Sequence, residues 1–169
     1  MTPIAPAASG TVLVVDSDEV ILRLLRFNLE RSGYAVTLAR TAAEGLELAR
    51  ENPPDLILSE VHLPDLDGLA LCRRLMDSSR TQHIPFLMMS SKRASAEVIA
   101  ALEGGADDYL VKPLDYREAT ARIRANIRRA QLKPALSPLT SLPGNLMIEQ
   151  AIRHITTPGH PFFAVLYLD

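Results

Sequence analysis

The stretch that decides the fold is DLILSEVHLPDLDG, residues 55–68. Its run from Leu56 to Ser59 is mostly apolar without alternation, which is typical of a strand buried on both faces of a parallel sheet. Glu60 stands at the carboxyl end of this predicted strand. Asp65 and Asp67 follow in the loop, where we expect both to help start the next helix. The stretch therefore predicts a buried strand that ends in an acidic side chain and leads into a helix.

The same strand-then-helix pattern recurs five times between residues 11 and 132. Strands that are apolar on both faces and alternate with helices indicate a parallel sheet covered by helices on each side. Right-handed crossovers favour a doubly wound, flavodoxin-like α/β fold with the strand order 2-1-3-4-5. The predicted strands cover residues 12–15, 34–39, 56–59, 86–89 and 109–111, and Asp18, Thr41 and Asp115 are predicted helix caps.

Composition narrows the function classes. The chain has 169 residues and a net charge of -2, so it lacks the basic excess that binding to duplex DNA needs, and we expect no direct nucleic-acid partner. No apolar run is long enough to span a membrane, and residues 1–10 read as a flexible lead-in without the features of a signal peptide. Cys72 is the single cysteine, which predicts a buried free thiol and fits a cytoplasmic location.

Polar side chains follow four of the predicted strands. Asp16, Ser17 and Asp18 follow the first strand, Glu60 the third, Ser90 the fourth and Lys112 the fifth. Because parallel strands end at one edge of a sheet, these groups should share a rim. Phosphoryl transfer to a carboxylate uses such a set: oxygen ligands for a divalent cation, a hydroxyl and a lysine for phosphoryl oxygens, and a nucleophilic carboxylate.

Residues 11 to about 130 resemble the response-regulator receiver family, and GGADDYLVKP at residues 104–113 carries the most specific part of the resemblance. The resemblance places Asp16 on the first of two adjacent acidic positions and Glu60 on the phospho-acceptor position. It also implies that Ser90, Tyr109 and Lys112 are the switch residues. Two residues depart from the family pattern: Ser17 replaces the second acidic residue, and Glu60 replaces an aspartate.

These departures predict a degenerate site. Losing a carboxylate at Ser17 leaves Asp16 and Asp18 to bind Mg²⁺ weakly. The longer Glu60 side chain should block phosphorylation by the usual route, and it could imitate a phosphoryl group by reaching Ser90 and Lys112. Three alternatives stay open: a phosphorylation-competent, Mg²⁺-dependent receiver, a plain protein-interaction module, and a buried ion pair without a signalling role.

The last part of the chain predicts a second domain. Residues 133–138, KPALSP, form a linker that cannot continue a helix. Residues 139–145, LTSLPGN, resemble the opening of diguanylate-cyclase (GGDEF) domains, with Ser141 in place of the usual glycine. Residues 139–169 would then be the N-terminal fragment of an output domain, with Asp169 on its first metal-binding position. The resemblance implies that this chain is not itself an enzyme, whereas the full-length protein could be a diguanylate cyclase.

We therefore expect a receiver domain, residues 11–132, that regulates a cyclase-type output in two-component and cyclic di-GMP signalling. Its expected partners are a sensor histidine kinase or another signalling protein. Homodimerisation is expected through the fourth and fifth helices, where basic side chains lie close to acidic ones. The basic set is Arg117, Arg122, Arg124, Arg128 and Arg129, and the acidic set is Glu97, Glu103, Asp107 and Asp108.

Overall fold

A computed structural model describes residues 10–92 and 94–132. The predicted linker at 133–138, the predicted output fragment at 139–169 and nearly all of the predicted N-terminal lead-in lie outside these residues. In chain order the elements are β1 (Thr11–Val15), α1 (Glu19–Arg31), β2 (Ala35–Ala39), α2 (Ala42–Glu51), β3 (Leu56–Glu60), α3 (Gly68–Met76), β4 (Phe86–Ser90), α4 (Ser95–Glu103), β5 (Asp108–Val111) and α5 (Tyr116–Leu132).

The five strands form one parallel sheet in the order β2-β1-β3-β4-β5. This confirms the predicted fold class and strand order. Strand ends differ from the predictions by one residue: β3 and β4 extend to include Glu60 and Ser90, and β5 begins at Asp108. Tyr34 falls outside β2 because its N–H donates to the Leu29 carbonyl in the turn that closes α1.

Helices on the two faces of the sheet bury separate apolar clusters. Side chains of β1 alternate between them, with Leu13 and Val15 on the face of α2, α3 and α4, and Val12 and Val14 on the face of α1 and α5. Cys72 is buried in the first cluster as predicted, and burial raises the pKa of its thiol to about 11. Covering both faces leaves the edges and ends of the sheet for function.

Short polar side chains start four of the five described helices where the sequence predicted them, and α4 begins without such a cap. Asp18 caps α1, Asp67 caps α3, and Asp115 accepts the Arg117 N–H at the start of α5. At α2, Thr41 accepts the Glu44 N–H, and the Glu44 carboxylate accepts the N–H of Arg40, one residue before the cap. None of the helices in the described part of the chain is long and apolar enough to cross a membrane.

Candidate functional site

The carboxyl ends of β1, β3 and β5 bring three charged side chains together. The Lys112 ammonium lies 2.7 Å from Asp16 Oδ2 and also donates to Glu60 Oε2. The Asp16 and Glu60 residues are 1% and 8% exposed, and 15% of the Lys112 side chain is exposed. One cation therefore lies between two carboxylates at an edge that is largely withdrawn from water.

Backbone N–H groups hold the other oxygen of each carboxylate. Glu60 Oε1 accepts from Val61 N at 2.8 Å and from His62 N at 3.3 Å. Asp16 Oδ1 accepts from Asp18 N at 2.8 Å. Each carboxylate is thus fixed on one side by the backbone and on the other by Lys112.

Two opposing effects determine the charge of Lys112. Burial alone would lower the pKa of its ammonium, because a charged group loses hydration there. Hydrogen bonds to Asp16 and Glu60, together with their negative charge, outweigh burial and raise the pKa above its ordinary value. The ammonium is consequently charged at neutral pH.

The loop after Glu60 is closed by a tight contact at the start of α3. The Gly68 N–H donates to the Val61 carbonyl at 2.7 Å. A Cβ at position 68 would lie 2.4 Å from the Glu60 carbonyl oxygen, which is closer than real Cβ contacts allow. Only glycine fits here without a shift of the strand end that carries Glu60.

The predicted switch residues Ser90 and Tyr109 are buried and meet through the backbone of Lys92. Ser90 Oγ accepts the Lys92 N–H at 3.2 Å, and the Tyr109 hydroxyl lies 3.2 Å from the Lys92 carbonyl oxygen. Of Ser90 and Lys112, the two groups that the longer Glu60 side chain could reach, Glu60 bonds only Lys112. The strand end explains this, because the Val61 and His62 N–H groups hold the second Glu60 oxygen.

Sequence reasoning missed a link between the loop after β3 and α4. The His62 Nε2 atom lies 3.4 Å from Glu97 Oε1, and the same oxygen lies 3.2 Å from the Tyr109 hydroxyl. Burial raises the pKa of the Tyr109 phenol, and the nearby Glu97 carboxylate raises it further. These residues are distant in sequence and follow no periodic pattern, so only the folded structure brings them together.

Asp65 corrects a sequence-based expectation. Asp67 caps α3 as predicted, but Asp65 instead accepts the N–H groups of Ala42 and Ala43, both at 2.9 Å. Its loop passes the start of α2, where N–H groups lack partners within the helix and the helix dipole is positive. Burial would raise the pKa of Asp65, but these N–H donors outweigh it and lower the pKa.

The side chains predicted to bind Mg²⁺ have other partners in this structure. Asp16 contacts Lys112, whereas Asp18 Oδ1 accepts the Val20 N–H at 2.8 Å as the cap of α1. Ser17 between them is exposed. Within residues 10–92 and 94–132, no three acidic, histidine or cysteine side chains converge on a metal position. As arranged, these donors do not fit the near-octahedral oxygen shell that Mg²⁺ requires. Asp169 lies outside the described residues.

The charged face of α5 is partly satisfied within the chain. The Arg122 Nη1 atom lies 3.0 Å from both carboxylate oxygens of Asp108, and its Nε donates to Glu118 at 2.8 Å. Asp107, which was also expected to serve a partner, accepts the Phe86 N–H at 2.9 Å. Three groups of the expected dimer surface, Arg122, Asp108 and Asp107, therefore already have partners within the chain.

Known proteins resemble both the sequence and the fold. AfsQ1, a transcriptional regulatory protein of Streptomyces coelicolor, is 36% identical over 149 residues, which are 88% of this chain and 64% of AfsQ1. The chain thus spans less than two thirds of this relative. A putative response regulator from Chloroflexus aurantiacus has a TM-score of 0.69 at 34% identity, with 71% of this chain and 98% of that chain covered.

A third similar protein has a known structure that contains a bound metal ion. The receiver domain of the sensor histidine kinase PA1611 from Pseudomonas aeruginosa, whose structure has a magnesium ion in the active-site cleft, has a TM-score of 0.67 at 25% identity. That comparison covers 72% of this chain and 99% of the other. Residues 12–124 also match the sequence profile of the response regulator receiver domain. This chain therefore belongs to the response regulator receiver domain family.

Proposed function

We propose that this receiver domain regulates an attached output domain in cytoplasmic two-component signalling without forming an acyl-phosphate at Glu60. The observation that carries the proposal is the Lys112 ammonium, which donates to both Glu60 and Asp16 in the unmodified protein. If this lysine serves phosphoryl oxygens in related sites, the Glu60 carboxylate here takes that role through its extra methylene.

The surroundings of Glu60 disfavour its use as a nucleophile. One oxygen is paired with Lys112 and the other accepts two backbone N–H groups. Attack on a phosphoryl donor would have to break either the ion pair with Lys112 or the hydrogen bonds from the backbone. Phosphoryl transfer also tolerates a misplaced reacting atom only to within about 1 Å. Ser17 also supplies no charge for a supporting cation.

A fixed, active-like state is the regulatory consequence that we infer. Tyr109 is buried, and its hydroxyl lies near both the Lys92 carbonyl and the Glu97 carboxylate of α4. His62 connects the strand-end site to α4 without a covalent modification, because its N–H donates to Glu60 Oε1 and its Nε2 lies 3.4 Å from the same Glu97 carboxylate. A plain interaction module would need no such connection, so the network favours a regulatory role.

Intact mass spectrometry after treatment with a small acyl-phosphate donor and Mg²⁺ tests the proposal. We expect no added phosphoryl group on the wild-type chain. The matched positive control is the double variant Ser17→Asp/Glu60→Asp, which restores both family residues and should gain one phosphoryl group. A Mg²⁺-dependent gain in the wild type that Glu60→Gln abolishes would establish the phosphorylation-competent alternative instead.

The kind of output domain is a separate proposal. A cyclase-type output is supported by the resemblance of residues 139–145 to the opening of diguanylate-cyclase domains. An output that regulates transcription is favoured by AfsQ1, which is named a transcriptional regulatory protein. We propose the cyclase type, with this chain itself having no enzyme activity. Incubating the full-length native protein with GTP and Mg²⁺ and measuring cyclic di-GMP by chromatography tests it; a protein that instead binds promoter DNA would favour the second type.

A sensor histidine kinase is the upstream partner that family membership supports, and α4 and α5 are the proposed homodimer surface. Because Arg122 is engaged within the chain, the exposed Arg117, Arg124, Arg128 and Arg129 remain for a partner. Light scattering of the wild type and of the double variant Arg124→Glu/Arg128→Glu tests this surface. A wild-type monomer at all accessible concentrations would contradict it.

A further inference from the structure

We propose that a cavity between α1 and α5 is a binding site for a small phosphate monoester, whose phosphate group is held by Arg117 and Arg124. The cavity has a volume of about 300 Å³, at the lower end of the range of ligand sites, which is about 300 to 1,000 Å³. The residues that line it belong to neither strand end of the charged cluster. The inference therefore goes beyond the proposed function and stands whatever happens at Glu60.

Side chains from both helices line this α1–α5 cavity. Helix α1 and its C-cap contribute Asn28 and Ser32, and α5 contributes Tyr116 and the two arginines. Arg117 and Arg124 are spaced as i and i+7, so they lie on one face of α5. Among the described residues, no acidic side chain lines the cavity. The lining is therefore positively charged.

The charges of these two arginines are not balanced within the described part of the chain, where neither guanidinium group forms an ion pair. By contrast, Arg122 lies beside β5 and pairs with Asp108 and Glu118. Asp115, which precedes α5, accepts the backbone N–H of Arg117 as a helix cap. Two guanidinium groups beside α1 are thus left to bind an anion.

The other lining residues offer hydrogen bonds and an apolar wall. The Asn28 amide uses one N–H on the Leu24 carbonyl at 2.7 Å, which leaves its second N–H for a ligand. The Ser32 hydroxyl donates to the Asn28 carbonyl at 2.9 Å, so its oxygen can accept from a ligand hydroxyl. The Tyr116 ring packs against the apolar cluster shared by α1 and α5, which fixes its position.

These features select the class of ligand. A phosphate monoester carries nearly two negative charges at neutral pH, which matches two guanidinium groups, whereas one carboxylate would balance only one of them. Phosphate oxygens also suit the paired N–H groups of arginine. An inorganic phosphate ion would leave the Tyr116 wall and the Ser32 acceptor unused, but an organic group with hydroxyls contacts both. The cavity therefore fits a phosphorylated organic molecule better than the free ion.

Isothermal titration calorimetry of this chain in about 0.15 M NaCl tests the inference. The probes are ribose 5-phosphate, adenosine 5′-monophosphate, inorganic phosphate and adenosine. We expect at least one of the two monoesters to bind with a Kd below about 1 mM, and at least about 10-fold more tightly than inorganic phosphate. Adenosine, which lacks the phosphate, should show no binding.

Variants of α5 separate the cavity from general charge. Arg117→Gln and Arg124→Gln should each weaken binding of the monoester by about 10-fold or more, because each removes one charge-assisted pair. Arg129→Gln is the matched control, since it removes the same charge from the same helix outside the cavity; it should change the affinity by less than about 2-fold. Ala121→Leu narrows the cavity without changing charge and should also weaken binding. Circular dichroism establishes that each variant is folded.

Three outcomes would overturn the inference. The first is that neither monoester binds below about 1 mM. The second is that inorganic phosphate binds as tightly as both monoesters, which would mean an adventitious ion only. The third is that Arg129→Gln weakens binding as much as Arg124→Gln does, or that folded Arg117→Gln and Arg124→Gln keep the wild-type affinity. Ala121→Leu decides the case if an arginine variant fails to fold: weaker binding supports the inference, and unchanged affinity overturns it.

Discussion

Two clusters in this molecule each hold one cationic side chain between two carboxylates. The first is Lys112 with Asp16 and Glu60, and the second is Arg122 with Asp108 and Glu118. Their hydrogen bonds are similar in length, 2.7 Å for Lys112 to Asp16 and 2.8 to 3.0 Å in the Arg122 cluster. They differ in their exposure to water: 15% of the Lys112 side chain is exposed, against 42% of the Arg122 side chain.

The comparison teaches that burial, rather than the number of ion pairs, decides what each cluster does. Exposed pairs are screened by water and salt and contribute little to stability. A buried carboxylate that loses its cationic partner has no water to take the partner's place. Removing one partner of a buried pair is therefore strongly destabilising. We therefore expect the Lys112 cluster to control fold and switch, and the Arg122 cluster to be nearly dispensable for folding.

The largest expected effect comes from breaking the buried cluster. Lys112→Met should lower the free energy of unfolding in metal-free buffer by about 3–5 kcal/mol, because it leaves two carboxylates without a cation. Urea denaturation measures the change. Lys112→Arg, which keeps the charge, should lose less. A loss below about 1 kcal/mol for Lys112→Met would place the two clusters in the same class.

The pH dependence of stability sharpens the same point. Because the folded-state pKa of Lys112 is raised, its contribution is complete below the ordinary value of 10.5 and is lost as the pH rises through the folded-state value. The urea midpoint of the wild type should thus fall more steeply above pH 10.5 than that of Lys112→Arg. Cys72 and Tyr109 titrate alike in both proteins, so the difference isolates Lys112. Parallel curves would contradict the expectation.

Asp65 tests a third case, an exposed carboxylate whose partners are backbone N–H groups. Asp65→Ala should cost about 1 kcal/mol, the usual loss for a helix-capping side chain, with urea denaturation as the measurement. Because the pKa of Asp65 is lowered, its contribution is present above the ordinary value of 3.8 and is lost as the pH falls through the folded-state value. Asp65→Asn, which keeps one acceptor oxygen, should retain part of the contribution. No loss in the Ala variant would show that these bonds do not stabilise α2.

The smallest effect is expected at the exposed cluster. Arg122→Met should change the free energy of unfolding by less than about 1 kcal/mol, because solvent already screens both pairs. The change should shrink further in 1 M NaCl, where screening acts within about 3 Å. A loss above about 2 kcal/mol that persists in high salt would contradict the role assigned to burial.

The sequence predicted the parts of this molecule that depend on periodicity. Strand β3 is buried along its whole length, as its apolar run indicated, and the parallel order follows from alternation with helices. Asp16, Glu60 and Lys112 meet because each lies at or just after the end of a parallel strand. Such predictions need only the strand topology, because it brings these positions to one edge of the sheet.

The parts that the sequence did not predict depend on loop paths and rotamers. Asp65 and Asp67 look equivalent in DLDG, yet one binds α2 and the other caps α3. Likewise, the length of Glu60 left open a contact with both Ser90 and Lys112, but backbone N–H groups hold its second oxygen. Such choices depend on the path of the loop and on competing backbone N–H groups, for which the order of residues carries no signal.

The contact of Asp65 with α2 also offers a way to observe the site without attaching a probe to it. The amide protons of Ala42 and Ala43 point at a carboxylate whose loop begins at Glu60. Their NMR chemical shifts depend on this hydrogen bond, so they report the position of the loop from a helix that takes no part in the charged cluster. Any ligand, partner or substitution that moves the loop should therefore be visible in two resolved backbone signals.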